Sequence, residues 1–249
     1  MGPSPKPGHV NSEGGSLQKI GDYWVPDIDM RRFRNRRKTL ANYSNGGRGN
    51  QIHHLEQAIA VLTEKLGAGT LGASTAIDAG ANVGAYSRLM AAHFNSVHAF
   101  ELAPDTFDCL QRNVQEWKLA GQITVHHNAI SDAESKVGVG SGGLFRRSIS
   151  REVKGSGTIQ AISLDSLNLE NVSFLKLDIE GHELKALMGA ETLLSTSRPY
   201  VMMELKERNV QKGNADMRAH EYLLSLGYTV TADLGTPVLD RLYAPSPNA

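Results

Sequence analysis

Two stretches of the chain set acidic side chains beside glycines at spacings that suit ligand chemistry. The first is Asp78-Ala79-Gly80-Ala81-Asn82-Val83-Gly84, with Glu101 lying 23 residues after Asp78. A glycine turn lets the backbone approach a ligand closely, and a helix that opens after it offers free N–H groups. A carboxylate such as Glu101, at the end of the next strand, can accept both hydroxyl hydrogens of a ribose. The dinucleotide fingerprint Gly-x-Gly-x-x-Gly is not met. The spacing here is Asp-x-Gly-x-Asn-x-Gly, with the acid on the strand end. The second stretch is Asp178-Ile179-Glu180-Gly181-His182-Glu183, followed later by Glu204. Carboxylates and an imidazole can take a proton from a hydroxyl. Asp178, Glu180 and His182 could also be read as oxygen and imidazole ligands of a divalent ion. Glu180 and Glu183 equally suit the start of a helix, where the dipole favours negative charge. No metal is assigned.

The elements that would position these residues follow from the hydrophobic pattern. Ile52, Leu55, Ile59, Leu62 and Leu66 recur at helical spacing, and Gly67 and Gly69 end that helix. Strands are predicted at 75–78, 96–101, 123–128, 174–178 and 199–204. Helices are predicted at 85–93, 104–117, 181–194 and 215–226, with Pro104 where a first-turn proline is tolerated. Residues 229–231 and 239–243 suggest a closing antiparallel hairpin. Strands alternating with helices imply an α/β fold with a mostly parallel sheet and helices on both faces. Asp78, Glu101, Asp178 and Glu204 then all fall at strand ends, where ligands of such folds bind.

Several segments together resemble the FkbM-type methyltransferase family. They are Asp78–Ser87, Glu101, Asn128-Ala129-Ile130-Ser131-Asp132, Ser163-Leu164-Asp165-Ser166-Leu167, the run from Phe174 to Glu183, Gly189-Ala190 and Glu204. The match covers about residues 75–205. The resemblance implies a Rossmann-like class I methyltransferase fold and S-adenosylmethionine as methyl donor. It places Gly80, Asn82 and Gly84 in the cofactor loop, Asp78 on the amino group and Glu101 on the ribose. Asn128 and Ala129 would meet the adenine. Asp178 is the first candidate for the base, with Glu204 and His182 beside it as further catalytic candidates. The implied reaction is O-methylation of a sugar, glycan or other small-molecule hydroxyl.

Composition narrows the alternatives. The chain has 249 residues, 40% hydrophobic and 21% charged, enough for a sizeable core. Lys+Arg and Asp+Glu number 26 each, which disfavours a globally basic nucleic-acid binder. Basic charge is concentrated locally, six cations in the eight residues Arg31–Lys38. Arg146, Arg147, Arg151 and Lys154 lie in a glycine-rich loop. Arg146 and Arg147 are therefore expected to bind acceptor, including anionic acceptors, since arginine suits carboxylate and phosphate. Nucleic-acid methylation through the basic run, or a cofactor-binding scaffold without catalysis, are the competing readings. The single cysteine, Cys109, excludes an internal disulfide framework. No apolar run is long enough to span a membrane. These features point to a soluble, cytoplasmic protein of unassigned oligomeric state. The expected organisation is a disordered tail at 1–16, a basic extension at 17–50 and a methyltransferase domain at 51–249.

Overall fold

The computed structural model describes residues 9–10, 16–26, 52–138, 158–179, 181–205, 215–235 and 239–246. The basic run Arg31–Lys38, Arg146, Arg147 and Glu180 lie outside the described residues. Three short N-terminal strands come first: β1 (His9–Val10), β2 (Ser16–Ile20) and β3 (Tyr23–Pro26). Helices α1 (Ile52–Leu66) and α2 (Ala68–Leu71) follow. Then come β4 (Thr75–Ala79), α3 (Ala85–Ala91), β5 (Ser96–Phe100), α4 (Pro104–Glu116) and β6 (Ile123–His126). The middle holds β7 (Ala129–Ile130), β8 (Ser135–Gly138), β9 (Thr158–Ile162) and β10 (Val172–Leu177). The chain ends with α5 (Glu183–Met188), α6 (Glu191–Thr196), β11 (Tyr200–Leu205), α7 (Ala215–Ser225), β12 (Tyr228–Leu234) and β13 (Leu239–Pro245).

The central sheet has seven strands in the order β12-β13-β11-β10-β4-β5-β6. The pairs β10–β11, β10–β4, β4–β5 and β5–β6 are parallel. Only β13 is reversed, antiparallel to both β11 and β12. Alternation along the strands divides the core into two layers. Ile77, Ala79, Leu175, Leu177, Val201 and Met203 pack with residues of α5, α6 and α7. Ala76, Val97, Ala99, Phe174 and Met202 pack with residues of α1, α3 and α4. Helices thus cover both faces, and the C-terminal hairpin closes one edge as predicted.

The structure departs from the sequence reading in three places. The single helix predicted over 181–194 is two helices, α5 and α6, broken at Gly189 and Ala190. A Cβ at Gly189 would lie 2.0 Å from the Ser131 carbonyl oxygen, so only glycine fits this close approach. Strands β7, β8 and β9, which form a separate small sheet, are absent from the sequence reading. Third, β2 and β3 pack on α4, with Leu17, Tyr23 and Val25 buried against Val83 and Cys109. Residues 17–26 therefore lie on the body of the domain that the sequence reading starts at 51. Within the segment read as a tail, His9–Val10 pairs with β2.

Candidate functional site

The strand order reverses between β4 and β10, where β4 leads outward to β5 and β6 while β10 leads to β11. In open α/β sheets such a reversal leaves a crevice at the carboxyl ends of the strands. Asp78 on β4 and Lys176 on β10 are paired in register, so their side chains share a face. Both are buried, and Lys176 Nζ lies 3.1 Å from Asp78 Oδ1. The same ammonium donates to the Gly80 carbonyl at 3.0 Å and lies 3.8 Å from Asp178 Oδ2. Burial alone pushes an ammonium down, but Asp78 and Asp178 outweigh it and hold Lys176 above its ordinary range. Ser87 Oγ donates to the other Asp78 oxygen at 2.6 Å. The resemblance sets Asp78 on the amino group of a cofactor. Here its carboxylate is fully covered and engaged by Lys176 and Ser87.

The glycine turn is built tightly on this pair. Gly80 has φ 82°, and a Cβ there would lie 2.0 Å from the Asp178 carbonyl oxygen. The backbone of β4 and β10 can meet at this point only through glycine. Gly84 has φ 91°, and its missing Cβ makes room for Leu110 Cδ1, 2.7 Å from the ideal position. Asn82 is left-handed at φ 53°, and its Oδ1 accepts the Val83 N–H at 2.8 Å. Glu101 closes the turn from the end of β5. Its Oε2 accepts the Asn82 N–H at 2.9 Å, and its Oε1 accepts the Ala103 N–H at 2.7 Å. Burial pushes the Glu101 carboxyl up despite these two bonds. Each oxygen keeps a further lone pair for a hydroxyl.

On the face shared by Asp78 and Lys176, the sheet brings more polar groups to the same end. Glu204 on β11 is the cross-strand partner of Asp240 on β13. Asp240 is buried and receives His54 of α1, with Nδ1 2.5 Å from Oδ2. Burial raises the Asp240 carboxyl, with the His54 bond opposing it, and the charges of Asp178 and Lys176 also reach it. Tyr86 of α3 lies with its ring 5.1 Å from Lys176 Nζ. Burial, then Asp240, Asp178, Asp78 and Glu204, drive the Tyr86 hydroxyl far above the ordinary phenol range. The result, among the described residues, is a cluster of carboxyl groups gathered around Lys176.

The remaining sequence candidates sit around this centre. His182 precedes α5, and its Nε2 is 3.1 Å from Ser131 Oγ, which donates to Asp132 Oδ1 at 2.9 Å. Burial holds the His182 imidazole below its ordinary range. Glu183 Oε1 accepts the N–H groups of Ile179 and Gly181, at 3.2 and 3.1 Å. Glu183 therefore shapes the loop after Asp178. Asn128 Nδ2 donates to the Gln160 carbonyl at 3.2 Å, and Ala129 is buried on β7. Among the described residues, no three His, Cys, Asp or Glu side chains gather as a metal site. Sequence reasoning assigned no role to Lys176, His54 or Asp240. For Lys176 a signal existed: a lysine between leucines in a buried strand needs a buried partner. For His54 and Asp240, 186 residues apart, only the fold supplies the contact.

The strand order, the single reversed strand and the carboxyl-end crevice define a class I methyltransferase fold. The model of the methyltransferase FkbM domain matches residues 78–230, and the chain belongs to the FkbM methyltransferase family. A curated relative, the hexuronic acid methyltransferase AglP of Haloferax volcanii, is 29% identical over 137 residues. That match covers 51% of this chain and 54% of the relative, so the chain spans about half the length of the curated relative it matches. The solved structure of methyltransferase FkbM from Methylobacillus flagellatus KT superposes with a TM-score of 0.52 at 20% identity. It covers 84% of this chain and 53% of that one, and it supports the fold. Among the described residues, no helix is long and apolar enough to cross a membrane.

Proposed function

We propose that this methyltransferase moves a methyl group from S-adenosylmethionine to a hydroxyl of a sugar or glycan acceptor. The observation that carries the reading is the Gly80 turn seated on Asp178, with the Glu101 carboxylate across it and the carboxylates around Lys176 alongside. The donor set fits the cofactor: Glu101 can hold a ribose diol, and surplus carboxylates favour a nearby sulfonium cation. The bound cofactor supplies an electrophilic methyl group. Gly80, Asn82 and Gly84 shape the cofactor loop. Asp78, acting through Lys176, supports that loop from behind instead of touching the cofactor. Asn128 and Ala129 border the adenine. Asp178, about one-third exposed, receives the acceptor hydroxyl, with Glu204 beside it. Holding the acceptor oxygen in line with the methyl group is the main task left to the protein. His182, held by Ser131, stands at the rim of the loop. Family membership and the name of the Haloferax relative support a sugar acceptor. A hexuronic acid would bring a carboxylate, for which Arg146 and Arg147 are the proposed partners.

The test is transfer of labelled methyl from S-adenosylmethionine into glycan, small-molecule, nucleic-acid and protein fractions of a cell extract. Label in the glycan or small-molecule fraction, lost in Glu101→Ala and Asp178→Asn, is expected. Label confined to nucleic acid or protein would overturn the sugar reading.

A further inference from the structure

A hydroxyl acceptor must lose a proton, and the carboxylate cluster includes a pair with a group suited to take it that the motifs do not mark. His54 and Asp240 are 8% and 6% exposed. Leu55, next to His54, and Leu242, two residues beyond Asp240 on the same face of β13, lie in the apolar core. Burying an ionisable pair there is costly, and an apolar pair would pack as well or better. Packing therefore gives no reason for the pair, whereas its position does. Asp240 stands opposite Glu204 at the carboxyl end of β11, on the sheet face that carries Asp78 and Lys176. We propose that His54 is the general base for the acceptor hydroxyl and that Asp240 is its positioning residue.

The inference rests on the O-methyl-transfer reading. His54 Nδ1 lies 2.5 Å from Asp240 Oδ2, and the tautomer that donates Nδ1–H to this carboxylate carries its lone pair on Nε2. An imidazole is the side chain whose ordinary range lies nearest neutral pH. The acceptor O–H bond breaks and its proton forms an N–H bond at His54 Nε2. The oxygen's electron pair bonds the methyl carbon, and the carbon–sulfur pair stays on sulfur, which becomes a neutral thioether. Asp240 stabilises the imidazolium, as a buried aspartate does in hydrolase triads. Product departure opens the base to water, which takes the proton.

The experiment uses the full chain and has two readouts. Long-range nitrogen–proton correlation spectra of the nitrogen-15-labelled protein report the His54 tautomer without turnover. The Nδ1–H form is expected in the wild type and is expected to be lost in Asp240→Asn. In parallel, transfer to the glycan fraction is measured at saturating acceptor, with S-adenosylhomocysteine affinity by calorimetry. His54→Gln is expected to lower the saturated rate about 100- to 10,000-fold while that affinity stays within roughly threefold. An Nε2–H tautomer in the wild type overturns the base. So does a His54→Gln rate within about fivefold of wild type. If His54→Gln does not fold, the near-isosteric Asp240→Asn carries both readouts, and an unchanged rate there overturns the dyad. A wild type that labels no hydroxyl acceptor overturns the transfer reading itself, and the base with it. Wild-type label retained by the variants overturns the base alone.

Discussion

Lys176 is the residue on which the site's electrostatics turn. It neutralises Asp78, which is fully buried, and reaches Asp178 at 3.8 Å. Removing one member of a buried pair strands the other charge, which typically costs about 3–5 kcal/mol. Lys176→Met should lower stability by about that amount in denaturant unfolding. Adding Asp78→Asn, which keeps a partner for Ser87, should recover part of the loss. No recovery in the double variant would mean that Lys176 acts through packing alone. Glu101 gives a pH prediction. Its carboxyl is pushed up by burial, so it takes up a proton at a higher pH than an ordinary glutamate. Binding of a ribose diol to the charged form should therefore weaken as pH falls, beginning above the ordinary carboxylate range near 4.5. Calorimetric titration with S-adenosylhomocysteine between neutral and mildly acid pH checks this. A flat affinity across that range would remove Glu101 from the ribose. The sequence singles out Glu101 because a carboxylate ending the next strand suits a ribose diol, and the structure seats it on the glycine turn through the Asn82 N–H. It left Lys176 without a role because a charge inside a strand is explained only by its neighbour on another strand.

At the level of elements, the order and kind of strands and helices in the core domain were readable because long apolar periodicities dominate them. What escaped the pattern was decided by contacts distant in sequence. The helix predicted over 181–194 keeps good helical periodicity throughout, yet Gly189 must pass against the Ser131 carbonyl and the helix breaks there. Asp165 then restarts it. Its two carboxylate oxygens accept the N–H groups of Thr192 and Leu193, at 2.8 and 2.9 Å, in the first turn of α6. The Leu164-Asp165-Ser166-Leu167 segment, read from the sequence as a family signature, thus has a structural use: it caps a helix from outside that helix. Asp165→Ala should cost about 1–3 kcal/mol through the two orphaned donors. Its S-adenosylhomocysteine affinity should match that of the wild type at temperatures where both are folded. An affinity loss larger than the stability loss would assign Asp165 to the site. Strands β8 and β9 were illegible for another reason: they border the glycine-rich stretch 138–157, whose composition reads as a loop.

Across the whole molecule, the N-terminal hairpin is coupled to the glycine turn by apolar packing on Val83 and by the hydrogen bonds of Asn113. Asn113 on α4 accepts the Trp24 N–H at 2.6 Å, and its amide donates to the Trp24 carbonyl at 3.0 Å and the Val83 carbonyl at 2.9 Å. Trp117 Nε1 adds a bond to the Asp22 carbonyl at 3.1 Å, and its ring meets Tyr23 edge-on. Beneath this cover lies Cys109, the chain's single cysteine, fully buried beside Leu17, Tyr23, Val25 and Val83. Burial pushes its thiol up to about 12, so at neutral pH it is protonated and shielded. Removing residues 1–26 uncovers that face of α4 and takes two partners from Asn113. The thiol should then return toward its ordinary range and react with a disulfide reagent at neutral pH, while the intact chain stays inert. Because Asn113 also holds Val83, the truncated chain should bind S-adenosylhomocysteine more weakly, by about 1 kcal/mol for the disordered loop bond. Both readings come from one preparation and separate two roles of the hairpin. A reactive thiol with unchanged affinity would make the hairpin a cover only. An inert thiol in the truncated chain would mean that α4 buries Cys109 without it.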